Sequence, residues 1–198
     1  MSAVPAPWTP QRWLLPTGIV VVSLMVGGGL LAREFYHQPD PQPQSVLAPP
    51  STTVRPPGQQ PGPGTVELTR DAALHPYHDE VRRLLQTYFD AINGRDYDRW
   101  KQTVTSERVR NKPRATWLKD FESSKDGSIL VYRIDLASEH DLRVLVGFTS
   151  TQQPQQAPLE LPGATCVQWK LVLPVTQEGG DWKVDTLPGY ASIDATAC

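Results

Sequence analysis

Between Val81 and Ile92 the large apolar residues are Val81, Leu84, Leu85, Tyr88, Phe89 and Ile92. Steps of three and four place them on one face of an α-helix, and most of the residues between them are charged or polar. A helix with one such stripe is marginal alone and must be covered by the rest of the fold. Asn93-Gly94 is expected to end it, because glycine enters the left-handed conformation without a Cβ clash. Asp96 is then placed to cap a second short helix that carries Tyr97, Trp100 and Val104 on one face. A third short helix is expected over Ala115 to Ser124, with Trp117, Leu118 and Phe121 as its contacts.

The covering layer follows. From Ser128 the hydrophobic period changes to two. Leu130, Tyr132, Ile134 and Leu136 alternate with Ile129, Val131, Arg133 and Asp135. A turn at Ser138 to Asp141 leads to a second alternating run, Leu142 to Thr149. After the Gln- and Pro-rich segment from Ser150 to Ala164, Val167, Trp169, Leu171, Leu173 and Val175 form one face of a third strand. Asp181 to Asp185 forms a fourth. Three helices ahead of a four-stranded antiparallel sheet make an α+β domain, with one sheet face packed on the helices. The expected inner face holds Tyr88, Trp100, Trp117, Tyr132 and Trp169, read as pocket or core aromatics. The domain is expected to run from residue 75 to 198.

The chain ahead of it has a different character. Residues 1–12 form a short polar leader. Trp13 to Ala32 is uncharged over 20 residues. That is enough to span a hydrocarbon core of about 30 Å as a helix. Trp13 suits the membrane interface. A cleavable signal peptide is the competing reading, but Leu30-Leu31-Ala32 offers leucine where a small residue is needed. Residues 33–74 then read as a proline-rich, disordered stalk. Twenty prolines cluster in the chain, and a segment dense in Pro, Gln, Gly and Ser cannot bury enough surface to offset its ordering entropy. A single span with a short leader is expected to leave the N-terminus in the cytoplasm and the C-terminal domain outside the plasma membrane.

The formal net charge of −2 leaves no basic footprint for nucleic acid. Both cysteines, Cys166 and Cys198, lie late in the chain, with no histidine near them in sequence to complete a zinc site. A disulfide between them would pin a terminal segment that has no strong structural signal of its own, and it requires an oxidising compartment. The disulfide and the outside placement therefore support each other.

The helix ending in YFDAINGRDYDRW, the short third helix, and the strands ending in TCVQWKLVLPV and GGDWKVD resemble the NTF2-like superfamily. With one N-terminal span and a proline-rich linker, the chain is similar to single-pass envelope proteins of actinobacteria, including the Mce-associated membrane proteins. The resemblance implies a cone with a sheet curved around a pocket. It also implies an envelope protein as partner, beside the cell membrane itself. Some members of that superfamily are isomerases or cyclases, and others are binding or assembly modules.

A catalytic member needs a desolvated carboxylate inside the cone. Asp90, Asp135 and Asp185 all fall in the outward phase of their helix or strand, and the expected inner face carries no carboxylate. No catalytic residue is therefore assigned. His75 and His78 share a helix face with Asp79 beside them, but no third ligand is evident, so neither a metal site nor a cofactor is expected. The leading expectation is a non-catalytic binding or assembly module of the cell envelope. A pocket enzyme of the isomerase or cyclase type and a carrier of apolar small ligands are the alternatives. A buried ionisable residue in a cavity would favour the enzyme, and a filled aromatic core the module.

Overall fold

The computed structural model of the chain describes residues 56–189 and 193–198. The leader, the 13–32 span and the stalk as far as residue 55 lie outside the described residues. Among the described residues, no helix is long and apolar enough to cross a membrane. Thr53–Cys198 is one compact unit.

That unit is α+β, with a curled mixed sheet. Its strands are β1 (Val66–Leu68), β2 (Lys125–Ser138), β3 (Asp141–Thr151), β4 (Cys166–Glu178), β5 (Asp181–Val184) and β6 (Ile193–Ala197). The order is β1-β2-β3-β4-β5, and β6 also pairs with β4. The expected four strands are thus six. The sheet is not wholly antiparallel, because β1 runs parallel to β2. The helices are α1 (Arg70–Ala73), α2 (His78–Gly94), α3 (Tyr97–Lys101), α4 (Ser106–Asn111) and α5 (Arg114–Asp120). Three of them, α2, α3 and α5, are the expected ones. The other two, α1 and α4, have four and six residues, too few for an apolar period to reveal.

The stripe on α2 is buried as its spacing demands, with Val81, Leu85, Phe89 and Ile92 at 2% exposure or less. It shares one buried cluster with Ile129, Val131, Val144, Val146, Leu171 and Leu173 of the sheet. The end of α2 differs from expectation. Gly94 is its last helical residue, and Arg95 takes the left-handed conformation at φ 56°. An L side chain normally resists that region. Here the Arg95 guanidinium is anchored by donating to the carbonyls of Asn93 and Glu122. Asp96 caps α3 as its position suggests, accepting from the Arg99 amide at 3.0 Å.

Strand β2 bends at irregularities in its pairing with β3. Val131 pairs with Val146, but Arg133 pairs with Leu145, so Tyr132 is an extra residue. An inserted residue shifts the phase of everything after it. Ile129, Val131 and Ile134 therefore share the core face. Tyr132 is turned to the outside, against Gly147 and under the Lys170 ammonium, 5.0 Å from its ring centre. Its assignment to the inner face is corrected on that ground. The carbonyl freed by the bulge accepts from Thr69 Oγ1 at 2.6 Å, and the same Thr69 caps α1.

The last part of the stretch read as a disordered stalk, residues 33–74, is also corrected. Residues 61–68 lie along β2. Ser128 donates from its backbone N to the Pro63 carbonyl at 2.7 Å and from its hydroxyl to the Pro61 carbonyl at 2.8 Å. Gln86 donates to the Gly64 carbonyl and accepts from the Val66 amide. The Pro61-Gly62 backbone passes so near Gly127 that a Cβ there would stand 2.4 Å from the Gly62 carbonyl oxygen. Proline-rich composition predicts disorder only where nothing else supplies hydrogen-bond partners, and here Gln86 and Ser128 supply them.

At the other end, the C-terminal segment forms β6, in register with β4 from Val167↔Ala197 to Leu171↔Ile193. Cys166 and Cys198 are joined in a disulfide with Cα atoms 5.4 Å apart, beside a hydrogen bond from the Cys198 amide to the Cys166 carbonyl.

Candidate functional site

The core face of the sheet presents one row that is polar. On β3, Val144, Val146, Phe148 and Ser150 alternate towards the helices, and β4 continues the face through Val167, Trp169 and Leu171. Ser150 lies opposite Asp126 of β2 on one side and Val167 of β4 on the other. Cross-strand partners share a face, so Asp126 is directed to the core side. It is 6% exposed, and its Oδ1 accepts from the Ser150 hydroxyl at 2.5 Å.

This is the carboxylate that the sequence reading did not find on the inner face. Lys125-Asp126-Gly127 precedes the alternating run and has no strand period, so Asp126 could not be assigned a face. What places it is Asn93, near the end of α2. Its side chain accepts from the Asp126 amide at 2.7 Å and donates to the Asp126 carbonyl at 2.9 Å, a two-point clamp on the backbone. Burial pushes the Asp126 carboxyl up to about 6, and the Ser150 hydrogen bond acts in the opposite direction.

Asp90, Asp135 and Asp185 are each engaged by neighbouring side chains. Asp90 accepts from Gln86 and lies 3.5 Å from Arg99. Asp135 pairs with Arg133 at 2.9 Å. Asp185 is more integral than its outward phase implied. It accepts from Thr105 Oγ1 at 2.8 Å, and its carbonyl accepts from Arg108, which also donates to the Tyr88 hydroxyl. It ties β5 to α4 and α2. His75 and His78 make local bonds. His75 Nδ1 accepts from the Tyr77 amide, and His78 Nδ1 lies 2.8 Å from the His75 carbonyl oxygen. Among the described residues, no three His, Cys, Asp or Glu side chains are grouped to hold a metal ion.

The five aromatics singled out in the sequence separate into three places. Trp100 and Trp117 are buried, 5.5 Å apart, and form a cluster with Tyr97 and Phe121. Both indole N–H groups are buried without a hydrogen-bond partner. Tyr88 and Trp169 belong to a chain of rings, Tyr88–Phe89–Phe148–Trp169, with centroids 5.0 to 6.3 Å apart. Tyr132 stands on the outer face, under Lys170. The ring chain ends at Phe148 and Trp169, both half-buried, on the row next to Asp126 and Ser150. A buried carboxylate with one side-chain hydrogen bond can hold a proton or accept one.

No protein-family model matches the chain, and no curated protein matches it.

Proposed function

We propose that this chain is a membrane-anchored, extracytoplasmic binding or assembly module of the NTF2-like type. Residues 13–32 are its anchor, and the proline-rich segment up to about residue 55 is its stalk. The observation that carries the reading is the filling of the interior by side chains. Trp100, Trp117, Phe89, Leu85, Ile92 and Ile129 are each below 2% exposure or close to it. A core occupied in this way leaves recognition to the surfaces of the domain. The curled sheet wrapped on α2 supports the NTF2-like comparison, and the Cys166–Cys198 disulfide supports an oxidising compartment. An envelope protein is the proposed partner.

One observation favours a second reading, the pocket enzyme of the isomerase or cyclase type. Asp126 is a desolvated carboxylate on the core side of the sheet, the group such chemistry requires. Replacing Asp126 by Asn separates the two, because the amide oxygen still accepts from Ser150. The module reading expects Asp126→Asn to restore full function to cells that lack the protein. It also expects the variant full chain to capture the same cross-linked membrane partner as the wild type. A folded Asp126→Asn protein that fails to restore function while still capturing the partner would instead establish Asp126 as the working group.

A further inference from the structure

The chain enters the domain along β2, and it docks beside a buried carboxylate that the module reading does not use. Ser128 donates from its amide to the Pro63 carbonyl at 2.7 Å and from its hydroxyl to the Pro61 carbonyl at 2.8 Å. Gln86 of α2 donates to the Gly64 carbonyl at 3.0 Å. Ser128 takes the left-handed conformation at φ 50°, which an L residue keeps only where its surroundings hold it. Its two bonds to the entering chain do so. Asp126 stands two residues before it, with its carboxylate on the core side and Ser150 as its side-chain partner.

The start of β2 is separable from the rest of that strand. Lys125, Asp126 and Gly127 pair with Thr151, Ser150 and Thr149, and the register then breaks until Leu130 meets Gly147. Such a break interrupts the ladder, so this patch can open while β3 and β4 stay paired. The charged side chains on the elements around Asp126 are engaged elsewhere. Lys125 and Arg95 both donate to the Asn93 carbonyl, at 2.7 and 3.0 Å. Asp90 of α2 accepts from Gln86 and lies 3.5 Å from Arg99. Glu67 of β1 and Glu122 are exposed. Pro61 to Thr65, Thr149 to Thr151 and Cys166 to Gln168 carry no charge. Burial raises the Asp126 carboxyl to about 6, and only the Ser150 hydrogen bond acts against that.

We propose that Asp126 is a proton-operated latch on the chain that enters the domain. With its proton, the carboxyl stays in the core and residues 61–65 remain docked. Without it, the start of β2 is driven to open towards water and release them. The docked state keeps the proton between about 6 and 3.8, where the opened state has lost it, so docking strengthens as pH falls through that window. An open latch adds residues 61–65 to the proposed stalk. The latch rests on these contacts and is independent of the module reading.

The test is hydrogen exchange of the full chain in a zwitterionic detergent at a series of values between about pH 4 and 8, corrected for intrinsic rates. Residues 62–69 and 125–130 are compared with the β3–β4 ladder. Near pH 7 the two segments are expected to exchange at least about tenfold faster than the ladder, and their protection to rise about tenfold or more towards pH 4.5. In Asp126→Asn, which keeps an acceptor for Ser150, the rise is expected to vanish. Ser150→Ala guards against a variant that fails to fold. It removes the one bond that favours the charged form, so the rise is expected to begin at a higher pH. Equal protection of the segments and the ladder near pH 7 would overturn the latch, as would protection in the wild type that does not change with pH. The wild-type rise persisting in a folded Asp126→Asn protein would also overturn it, and so would an onset in Ser150→Ala that stays in place or moves down.

Discussion

Asp126 makes the stability of the domain depend on pH in a direction that most carboxylates do not. Its carboxyl lies near 6 in the folded state, against 3.8 for an unperturbed group, because burial penalises the charge. The folded state therefore holds a proton through a window in which the unfolded chain does not. Stability contributed by this residue rises as pH falls from about 6 towards 3.8, and the cost of the buried charge is fully present above that window. The span corresponds to roughly 3 kcal/mol. Asp126→Asn is expected to be more stable than the wild type at pH 7, with the advantage shrinking towards pH 4. Urea unfolding of both proteins across that range checks it, and an advantage that grows on acidification would contradict the sign. The neighbouring Gly127 is constrained by the backbone that crosses it. Gly127→Ala is expected to lose about 1–3 kcal/mol, because the Gly62 carbonyl that its Cβ would meet belongs to main chain and cannot rotate away. Gly147→Ala meets first the Tyr132 ring, a side chain on the outer face, so its loss should be smaller in the same urea assay.

Among the elements, β6 depends most on a single bond. It is five residues long, pairs only with β4 among the described strands, and is largely exposed. The disulfide closes a loop between residues 32 apart in sequence. Cys166→Ser is expected to cost about 3–4 kcal/mol in the chain-entropy account. The loss should appear first as hydrogen exchange at the amides of β6, before the rest of the sheet opens. Unchanged protection there would mean that pairing alone holds the strand. The bridge was legible in the sequence because Cys166 falls on the phase opposite the Val167–Trp169 row and Cys198 ends a segment with no structural signal of its own. The strand was not, because Ile193-Asp-Ala-Thr-Ala has no inner face to produce an apolar period. The same logic separates what was readable elsewhere. The stripe on α2 and the faces of β3 and β4 follow from their period. Tyr132 was misplaced because a one-residue bulge reverses the phase without altering the local pattern. Asp126 was missed because its face is set by Asn93, 33 residues away. Glu178 illustrates the point from the other side. It accepts from the Ser106 backbone N–H and hydroxyl at the start of α4, which holds its carboxyl below the usual value. No local spacing encodes that contact.

For the whole molecule, the account joins three parts: a filled α+β domain, a disulfide at its C-terminus, and a proposed anchor and stalk ahead of it. The ordered domain reaches back at least to the chain that lies on β2, so the proposed stalk is shorter than composition alone implied. The proposed placement outside the membrane and the Cys166–Cys198 disulfide stand together. The most direct measurement is the intact mass of the protein taken from washed membranes, denatured and alkylated first without and then with reductant. The account predicts a membrane-bound chain that still contains residues 13–32, with no cysteine modified before reduction and two modified after it. A chain starting near Arg33 and released from the membrane, or two cysteines modified before reduction, would contradict it.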